Sequence, residues 1–346
     1  MKQKENSLMP VILVLIVILL GMTTLAFISI SEEKDDEVEA PEPPNLYSSS
    51  QFGIGTGNRL GTYYPTGKVL AEYFNSRLDS KGGSFKAFET SGSINNIELL
   101  QTKRVQFAMI EARVAKEAFP KNPDLRVIWP LWLDVVQLLR PPKDVVPNYV
   151  FPGKIKGYMG QKNSSPVRTC EEIFDALGIK GRHKVDIPTN SVLKFIADGR
   201  LGFAMIQAGI PNKSVSDALV WNDCGLVSFT SEQQKFILDS VPSSIPFVLP
   251  ADYYKAGQPE INTIGLPNLL ITTSEISPQL VEYVTEMLVD GCPRLKGRYK
   301  ALETVPTDKV SVARVVEETG IPLHDGTKNW LKKKSNQEAE KGGSAR

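Results

Sequence analysis

The chain has 346 residues, of which 41% are hydrophobic and 23% charged, and its formal net charge is +1. This composition is typical of globular proteins, and the length suits roughly two domains of about 150 residues each. The 40 basic and 39 acidic side chains nearly cancel, so the chain lacks the broad positive field that a phosphate backbone requires. Composition therefore argues against nucleic acid as a partner.

Cysteine and histidine are scarce. The 3 cysteines and 2 histidines are too widely spaced for a short metal-binding motif, so we predict no metal site. No motif indicates a cofactor. Cys170, Cys224 and Cys292 fit two arrangements equally well, one disulfide with a remaining thiol or three buried thiols.

The N-terminal 31 residues predict a membrane anchor. Residues 7–31 contain no ionisable side chain, and such a stretch is long enough to cross a bilayer. Lys2 and Lys4 precede it, whereas mostly acidic residues follow, which favours an N-terminus in the cytoplasm. A cleaved signal peptide is the alternative, but the sequence has neither a clear small-residue cleavage site nor a lipobox cysteine. We expect residues 1–31 to be a cytoplasmic stub and a single-pass transmembrane helix in the lipid bilayer.

Polar segments flank the predicted globular body. Residues 32–51 are rich in Asp, Glu, Pro and Ser and carry little apolar surface to bury, so they predict a solvated linker. At the other end, residues 332–346 begin with three lysines and predict a disordered polar tail.

Two segments of the body repeat each other. Residues 94–112 and 190–208 are identical at six of nineteen aligned positions and share the letters FAMI. In each copy, apolar residues at helical spacing precede a short apolar run (105–110 and 201–206), typical of a helix followed by a strand buried in a parallel sheet. Chance similarity is the alternative. We interpret the segments as a duplication because each lies in a larger pattern of strand, polar loop, helix and strand.

Further predicted strands end in loops of small polar residues that open helices. These strands span residues 52–55, 85–89 and 155–159, and Ser93 is the predicted N-cap of the helix after the second one. In open α/β sheets, ligands lie beyond the carboxyl ends of the strands, where helix N-termini favour anions. A carboxylate is therefore the expected ligand group.

Glu111 and Gln207 follow the two repeated strands at equivalent positions. If two such sheets meet, these side chains face each other across a cleft. The alternative for each is a polar surface residue at a strand end. Trp129 and Trp132, in a proline-punctuated stretch nearby, are interpreted as core residues.

Nucleotide binding and catalysis are not favoured. The glycines between residues 53 and 61 do not have the G-x-G-x-x-G spacing of a dinucleotide-binding loop. No nucleophile with its base, and no carboxylate pair, stands at a spacing typical of an active site. We therefore expect that the chain is not an enzyme.

Five segments form a recognisable set in chain order: GIGTGNRLGTYYPTG from Gly53, ETSGSINNIELL from Glu89, AGIP from Ala208, ADYYKAGQPEINTIGLPNLLIT from Ala251 and GIPLHDGTKNW from Gly320. Together, over about residues 52–331, they resemble the TAXI-type receptor subunit of tripartite ATP-independent periplasmic (TRAP) transporters.

The resemblance implies a two-lobed α/β fold like that of type II periplasmic binding proteins, here preceded by the transmembrane helix. We expect lobe I to comprise residues 52–140 and 245–331, and lobe II residues 141–244, joined by two hinge strands. The implied function is a membrane-tethered solute-binding protein. It would capture a small organic acid or amino acid for the permease subunits of a TRAP transporter, on the periplasmic or extracellular face of the cytoplasmic membrane.

The resemblance also implies ligand-binding positions, namely Thr62, Tyr63, Ser91, Gly92, Ser93 and Gln207. The sequence departs from the family at two places. Glu111-Ala112-Arg113 stands where Gln-x-Asp is usual, and Asn163-Ser164-Ser165-Pro166 replaces a Gly-Ser-Gly-Thr loop. Glu111, Arg113, Ser164 and Ser165 therefore complete the candidate site, and the usual ligand is put in doubt.

The charge at Glu111 affects which ligand is expected. A carboxylate only accepts hydrogen bonds and repels another carboxylate at close range. Arg113 or Arg59 could compensate by pairing with a ligand anion. A zwitterion such as an amino acid suits both signs. The alternative function is a tethered receptor that senses the same ligand and acts on a signalling partner without transport.

Overall fold

Two long antiparallel strands lie side by side at the centre of one sheet and connect its two halves. The structure is a computed structural model that describes residues 51–59, 61–78, 83–147, 156–160, 164–180, 183–187, 191–295, 297–298 and 300–343. The predicted anchor, residues 1–31, and all of the predicted linker except Gln51 lie outside the described residues.

The strands are β1 (Gln51–Gly55), β2 (Ser84–Phe88), β3 (Phe107–Glu111), β4 (Leu125–Arg140), β5 (Lys156–Tyr158), β6 (His183–Lys184), β7 (Phe203–Ala208), β8 (Gly225–Leu226), β9 (Ile245–Leu249) and β10 (Ile261–Thr273). The α-helices are α1 (Tyr63–Arg77), α2 (Ser93–Gln101), α3 (Ala112–Ala118), α4 (Ser165–Ala176), α5 (Val192–Ala197), α6 (Lys213–Trp221), α7 (Ser231–Ser240), α8 (Pro278–Gly291), α9 (Lys309–Thr319) and α10 (Asp325–Gly343).

The strand order repeats a single pattern around the two central strands. The order is β2-β1-β3-β10-β4-β7-β5-β6, with β8 on β4 and β9 on β10. In the first half, β1 is parallel to β2 and β3, and β3 pairs antiparallel with β10. In the second half, β5 is parallel to β6 and β7, and β7 pairs antiparallel with β4. The two FAMI strands therefore occupy equivalent positions next to the centre, as the predicted duplication requires.

Apolar clusters cover both faces of each half. In the first half, Phe107 and Met109 belong to one cluster, and the alternate residues Ala108 and Ile110 belong to another. In the second half, Phe203 and Met205 pack with α4 and α7, whereas Ala204 packs with α5 and α6. Because side chains alternate across a strand, continuous apolar runs fill both faces. The mixed α/β fold class is thereby confirmed.

The predicted elements agree with the structure except at some ends. The FAMI strands begin two residues later than predicted, at Phe107 and Phe203. Val105 and Leu201 are buried, but they lie in the turns before the strands. Ser93 is not an N-cap. The helix starts at Ser93, and Gly92 takes the cap position with φ of 105°, a backbone conformation that favours glycine.

The prediction of a disordered C-terminal tail was wrong. Helix α10 continues to Gly343, and it packs against α8. Lys334 Nζ lies 3.1 Å from Asp290 Oδ2, and Lys333 pairs with Glu282, both on α8. These ion pairs connect the lysine-rich segment to α8.

The three cysteines lie in three different apolar clusters, Cys170 with α4, Cys224 after α6 and Cys292 after α8. All three are buried, which agrees with the alternative of three buried thiols. Within the described segments, every helix is too short or too polar to cross a bilayer.

A close approach between β5 and β7 yields a stability prediction. A Cβ atom added to Gly157 would lie 2.1 Å from Cε1 of Phe203, whose ring is buried. We expect Gly157→Ala to lower the free energy of unfolding by about 1–3 kcal/mol because the packed ring must shift. Urea denaturation measures this change.

Phe203→Leu provides the control, since it removes the edge of the ring that clashes. The double variant Gly157→Ala/Phe203→Leu should lose less stability than the sum of the two single variants. Additive losses would contradict the proposed contact.

Candidate functional site

The ends of the two duplicated strands meet at the centre of the molecule. Gln207 Nε2 donates a hydrogen bond to Glu111 Oε2 at 2.7 Å. The Glu111 side chain is only 3% exposed, so Glu111 is not the surface residue that the alternative interpretation described. The contact follows from the strand directions, because β3 and β7 flank the two antiparallel central strands and run toward each other.

Arg113 connects the first half of the sheet to helix α4 of the second half. Its Nε donates to Glu111 Oε1 at 3.1 Å, and its Nη2 donates to Ser165 Oγ at 3.1 Å and to Thr169 Oγ1 at 2.9 Å. Its Nη1 pairs with Glu172. Since the Arg113 side chain is 1% exposed, its charge is neutralised by two carboxylates and not by solvent.

Ser165 completes the set of partners around Glu111. Its hydroxyl donates to Glu111 Oε2 at 2.6 Å, so that oxygen accepts from both Ser165 and Gln207. We name Glu111, Arg113, Ser165 and Gln207 the bridging network. All four were predicted site residues, and the structure brings them together through direct hydrogen bonds.

Tyr63 and Ser93 form a second layer beside the bridging network. The Ser93 hydroxyl accepts from the Glu111 backbone N–H at 3.0 Å and lies 3.4 Å from the Tyr63 hydroxyl. Tyr63 also donates to Asn268, and its ring packs edge-on against Trp132 with centroids 5.8 Å apart. Burial raises the pKa of Tyr63 well above its usual value, with further contributions from the Asp134 and Glu111 charges.

The remaining predicted residues divide between the centre and the rim. Thr62 is buried, and its hydroxyl accepts from the Gly209 backbone N–H at 3.0 Å, which is a second contact between the halves. Ser91 is exposed and lies with Ser93, Ser164 and Ser165 around a separate surface depression. Gly92 is at the start of α2 between them.

Arg59 does not reach the network. Its side chain is 70% exposed and pairs with Glu89, with Nε 2.6 Å from Oε2. Of the two arginines predicted to pair with a ligand anion, Arg113 is the one in the bridging network, where it pairs with Glu111 itself. Arg113 donates to two protein carboxylates and two hydroxyl groups, so its guanidinium is held by the protein itself.

A cavity of about 160 Å³ lies beside the network. The described residues that line it carry no formal charge: Asn58, Gly61, Tyr158, Gly160, Ser164, Pro166, Met205, Ile206, Gln207, Ala208, Asn212 and Ser214. Most belong to the second half, including the starts of α4 and α6. The polar groups in the cavity wall are therefore uncharged hydroxyl and amide groups together with helix N-termini.

Asp134 is a site residue that sequence reasoning missed. It lies in β4 opposite Leu266 of β10 and accepts from Trp132 Nε1 at 3.0 Å. Burial raises the pKa of Asp134 to about 7, the Trp132 hydrogen bond opposes this rise, and the Glu111 charge adds to it. The available signal was a lone acidic residue inside the apolar run of β4.

Asn268, Thr169 and Glu172 were also missed. Asn268 pairs with Glu111 in the sheet and is fully buried, whereas Thr169 and Glu172 lie on α4 and contact Arg113. A polar residue within a continuous apolar strand was a signal for Asn268. The sequence contains no signal for Thr169 and Glu172, because either residue type can stand on an exposed or on a buried face of a helix.

The fold and site together define a mixed α/β protein whose two similar halves meet at a polar centre next to a small cavity. Residues 54–334 match the model of the NMT1-like family. The chain belongs to this family, since the match covers more than half of the sequence.

Solved structures are similar to the chain at low identity. A Bordetella bronchiseptica protein has 13% identity, covers 80% of this chain and 84% of its own, and has a TM-score of 0.48. An ABC transporter protein from Parabacteroides distasonis has 9% identity, with coverages of 82% and 91% and a TM-score of 0.42. The ligand-binding component of an ABC-type import system from Staphylococcus aureus, with zinc bound, has 9% identity, coverages of 80% and 96% and a TM-score of 0.45.

The raised pKa of Asp134 predicts a pH-dependent contribution to stability. Its folded-state value of about 7 exceeds the usual 3.8, so between these pH values the folded chain binds more protons than the unfolded chain. The stability from this group is therefore complete below about pH 4 and is lost as the pH rises through about 7. Asp134→Asn keeps an oxygen for Trp132 and should remove this loss, which is worth a few kcal/mol at most.

Urea unfolding of both proteins at about pH 5 and about pH 8 tests the prediction. The free energy of unfolding of the variant, minus that of the parent chain, should be larger at about pH 8 than at about pH 5. An unchanged difference between the two proteins at both pH values would contradict it.

Arg113 yields a second prediction for this site. Arg113→Lys keeps the charge but cannot contact Glu111, Ser165, Thr169 and Glu172 together, since an ammonium lacks the planar fork of a guanidinium. Buried charges then lose partners, and we expect a loss of about 2–4 kcal/mol in the free energy of unfolding. Glu117→Gln is the control, because it breaks the exposed Arg168–Glu117 pair and should cost less than about 1 kcal/mol. Similar losses in both variants would refute the assignment.

Proposed function

We propose that the chain is a membrane-tethered, extracytoplasmic solute-binding protein that holds a small organic acid or amino acid between two lobes. The observation that carries this proposal is the cavity at the end of β7, beside the bridging network. Ligands of α/β proteins bind at such strand ends, next to helix N-termini.

The size of the cavity and the few polar groups in its largely apolar wall support a small ligand that carries polar groups. Its volume of about 160 Å³ corresponds to the share of about five water molecules in liquid water. Ser164, Asn212 and Ser214 supply hydroxyl and amide groups, and α4 and α6 begin at the same wall. This combination suits a carboxylate without requiring a cationic side chain.

The motif resemblance extends the proposal to transport. The five segments that resemble TAXI-type receptors include residues on both sides of the centre, Thr62 and Tyr63 in one and the residues after Gln207 in another. We propose delivery of the ligand to the permease subunits of a TRAP transporter. Residues 1–31 would anchor the receptor, and β4 and β10 would act as the hinge between lobe I and lobe II.

A thermal-shift screen of amino acids and small organic acids tests the proposal. Ligand at about one hundred times its dissociation constant stabilises the folded chain by about 2.7 kcal/mol, which raises the melting temperature by several degrees. Ser214→Phe should abolish the shift, since the ring fills the cavity. Ser216→Phe, on the same helix but outside the cavity lining, should retain it.

The absence of a shift with every acid in the screen would count against a receptor. A shift that survives Ser214→Phe would place the ligand somewhere other than this cavity.

A further inference from the structure

We propose that Glu111 fixes the orientation of the Gln207 amide, so that the cavity selects ligands with an N–H or O–H donor over ligands with an acceptor there. The inference rests on the proposed function and names the ligand class more narrowly. It predicts 2-amino and 2-hydroxy acids in preference to the matching 2-oxo acids.

The chemistry of the pair determines which end of the amide faces Glu111. A carboxylate has acceptors only, whereas an amide has one donating and one accepting end. The amide end toward Glu111 must therefore be the NH₂ group, in agreement with the 2.7 Å contact from Gln207 Nε2 to Glu111 Oε2. The carbonyl oxygen Oε1 is left for the other side.

Glu111 is itself held in place and acts as a positioning residue. Arg113 donates to its Oε1, Ser165 and Gln207 donate to its Oε2, and its backbone N–H donates to Ser93. Its side-chain oxygens thus have three donors from three different elements. A carboxylate fixed in this way orients Gln207 without needing to contact the ligand.

Gln207 Oε1 is the end of the amide that does not face Glu111. It is buried, and no described residue donates to it, although Gln207 lines the cavity. Its strand cannot shift to relieve this, because β7 pairs with β4 at Gln207 and on both sides of it. A buried acceptor without a donor is unfavourable, so a ligand N–H or O–H group at this position is favoured and a ligand carbonyl is disfavoured.

The donor belongs next to the ligand carboxylate for a geometric reason. Ser164 and Ser214, at the starts of α4 and α6, line the same small cavity as Gln207. A carboxylate near these helix ends therefore lies within a few bonds of the group that meets Gln207 Oε1. The carbon next to the carboxylate is the position expected to carry the donor.

Isothermal titration of the full chain with matched acids tests the proposal. Each set has one carbon skeleton and bears an amino, hydroxy or oxo group on the second carbon: alanine, lactate and pyruvate, and glutamate, 2-hydroxyglutarate and 2-oxoglutarate. We expect the amino and hydroxy acids of the binding set to bind at least about tenfold more tightly than the oxo acid. The hydroxy acid separates hydrogen-bond donation from positive charge, since it donates without carrying a charge.

Two variants distinguish the orientation of the Gln207 amide by Glu111 from an effect of the Glu111 charge alone. In Glu111→Gln, the new amide can donate to Gln207 Oε1, so the Gln207 amide is free to rotate. In Glu111→Asp, the charge stays but the shorter side chain no longer reaches Gln207. In both, the preference for donor ligands should fall to within about threefold. Glu282→Gln, which removes an ion-paired carboxylate on α8, is the matched control and should keep the preference.

The outcomes are distinct. If the oxo acid binds as tightly as the amino and hydroxy acids in the parent chain, the inference is wrong while the proposed function stands. If Glu111→Asp retains the preference, Glu111 acts through charge and not by orienting the amide, which also overturns the inference. If no acid of any set binds, the proposed function itself fails.

Thermal denaturation of each variant shows whether it folds. If a Glu111 variant does not fold, Gln207→Met replaces it, because this variant removes the amide without changing Glu111 and should show the same loss of preference.

Discussion

The arrangement of this protein depends on a buried carboxylate, Glu111, held by donors from both halves of the sheet. Charges removed from water are stable only with close partners and satisfied hydrogen bonds. Arg113 supplies the opposite charge from the first half, and Ser165 and Gln207 supply hydrogen bonds from the second. The halves are thus joined at their centre by polar contacts whose loss would leave charges unpaired in a region of low dielectric constant.

The sheet order makes this junction possible. The two FAMI strands run in opposite directions and end facing each other, because each pairs antiparallel with one of the two central strands and β10 and β4 are themselves antiparallel. Residues separated by nearly one hundred positions in the chain are then neighbours in space. A duplicated strand followed by a polar residue is therefore sufficient to place one carboxylate and one amide in contact, and sequence divergence at that position sets their different roles.

Much of the fold could be predicted from the sequence, because buried parallel strands and amphipathic helices have distinct apolar periods. The same reasoning found Glu111 and Gln207, since strand ends in α/β sheets are where polar residues gather. It could not find Glu172 or Thr169, because which face of α4 meets Arg113 depends on packing between distant segments. The C-terminal tail was mispredicted for a similar reason, since the acidic partners of Lys333 and Lys334 lie on α8.

The central strands β4 and β10 extend through both halves of the sheet. If a flexible tether joined the two halves, they could adopt many mutual orientations. Bringing them together around a ligand would then cost considerable entropy. Here a continuous hydrogen-bonded ladder joins the bodies, so most of that freedom is already lost when the chain folds. Any change of cleft width must come from bending or twisting of this pair of strands, which restricts the motion to a narrow set of directions and lets a small guest influence it with few contacts.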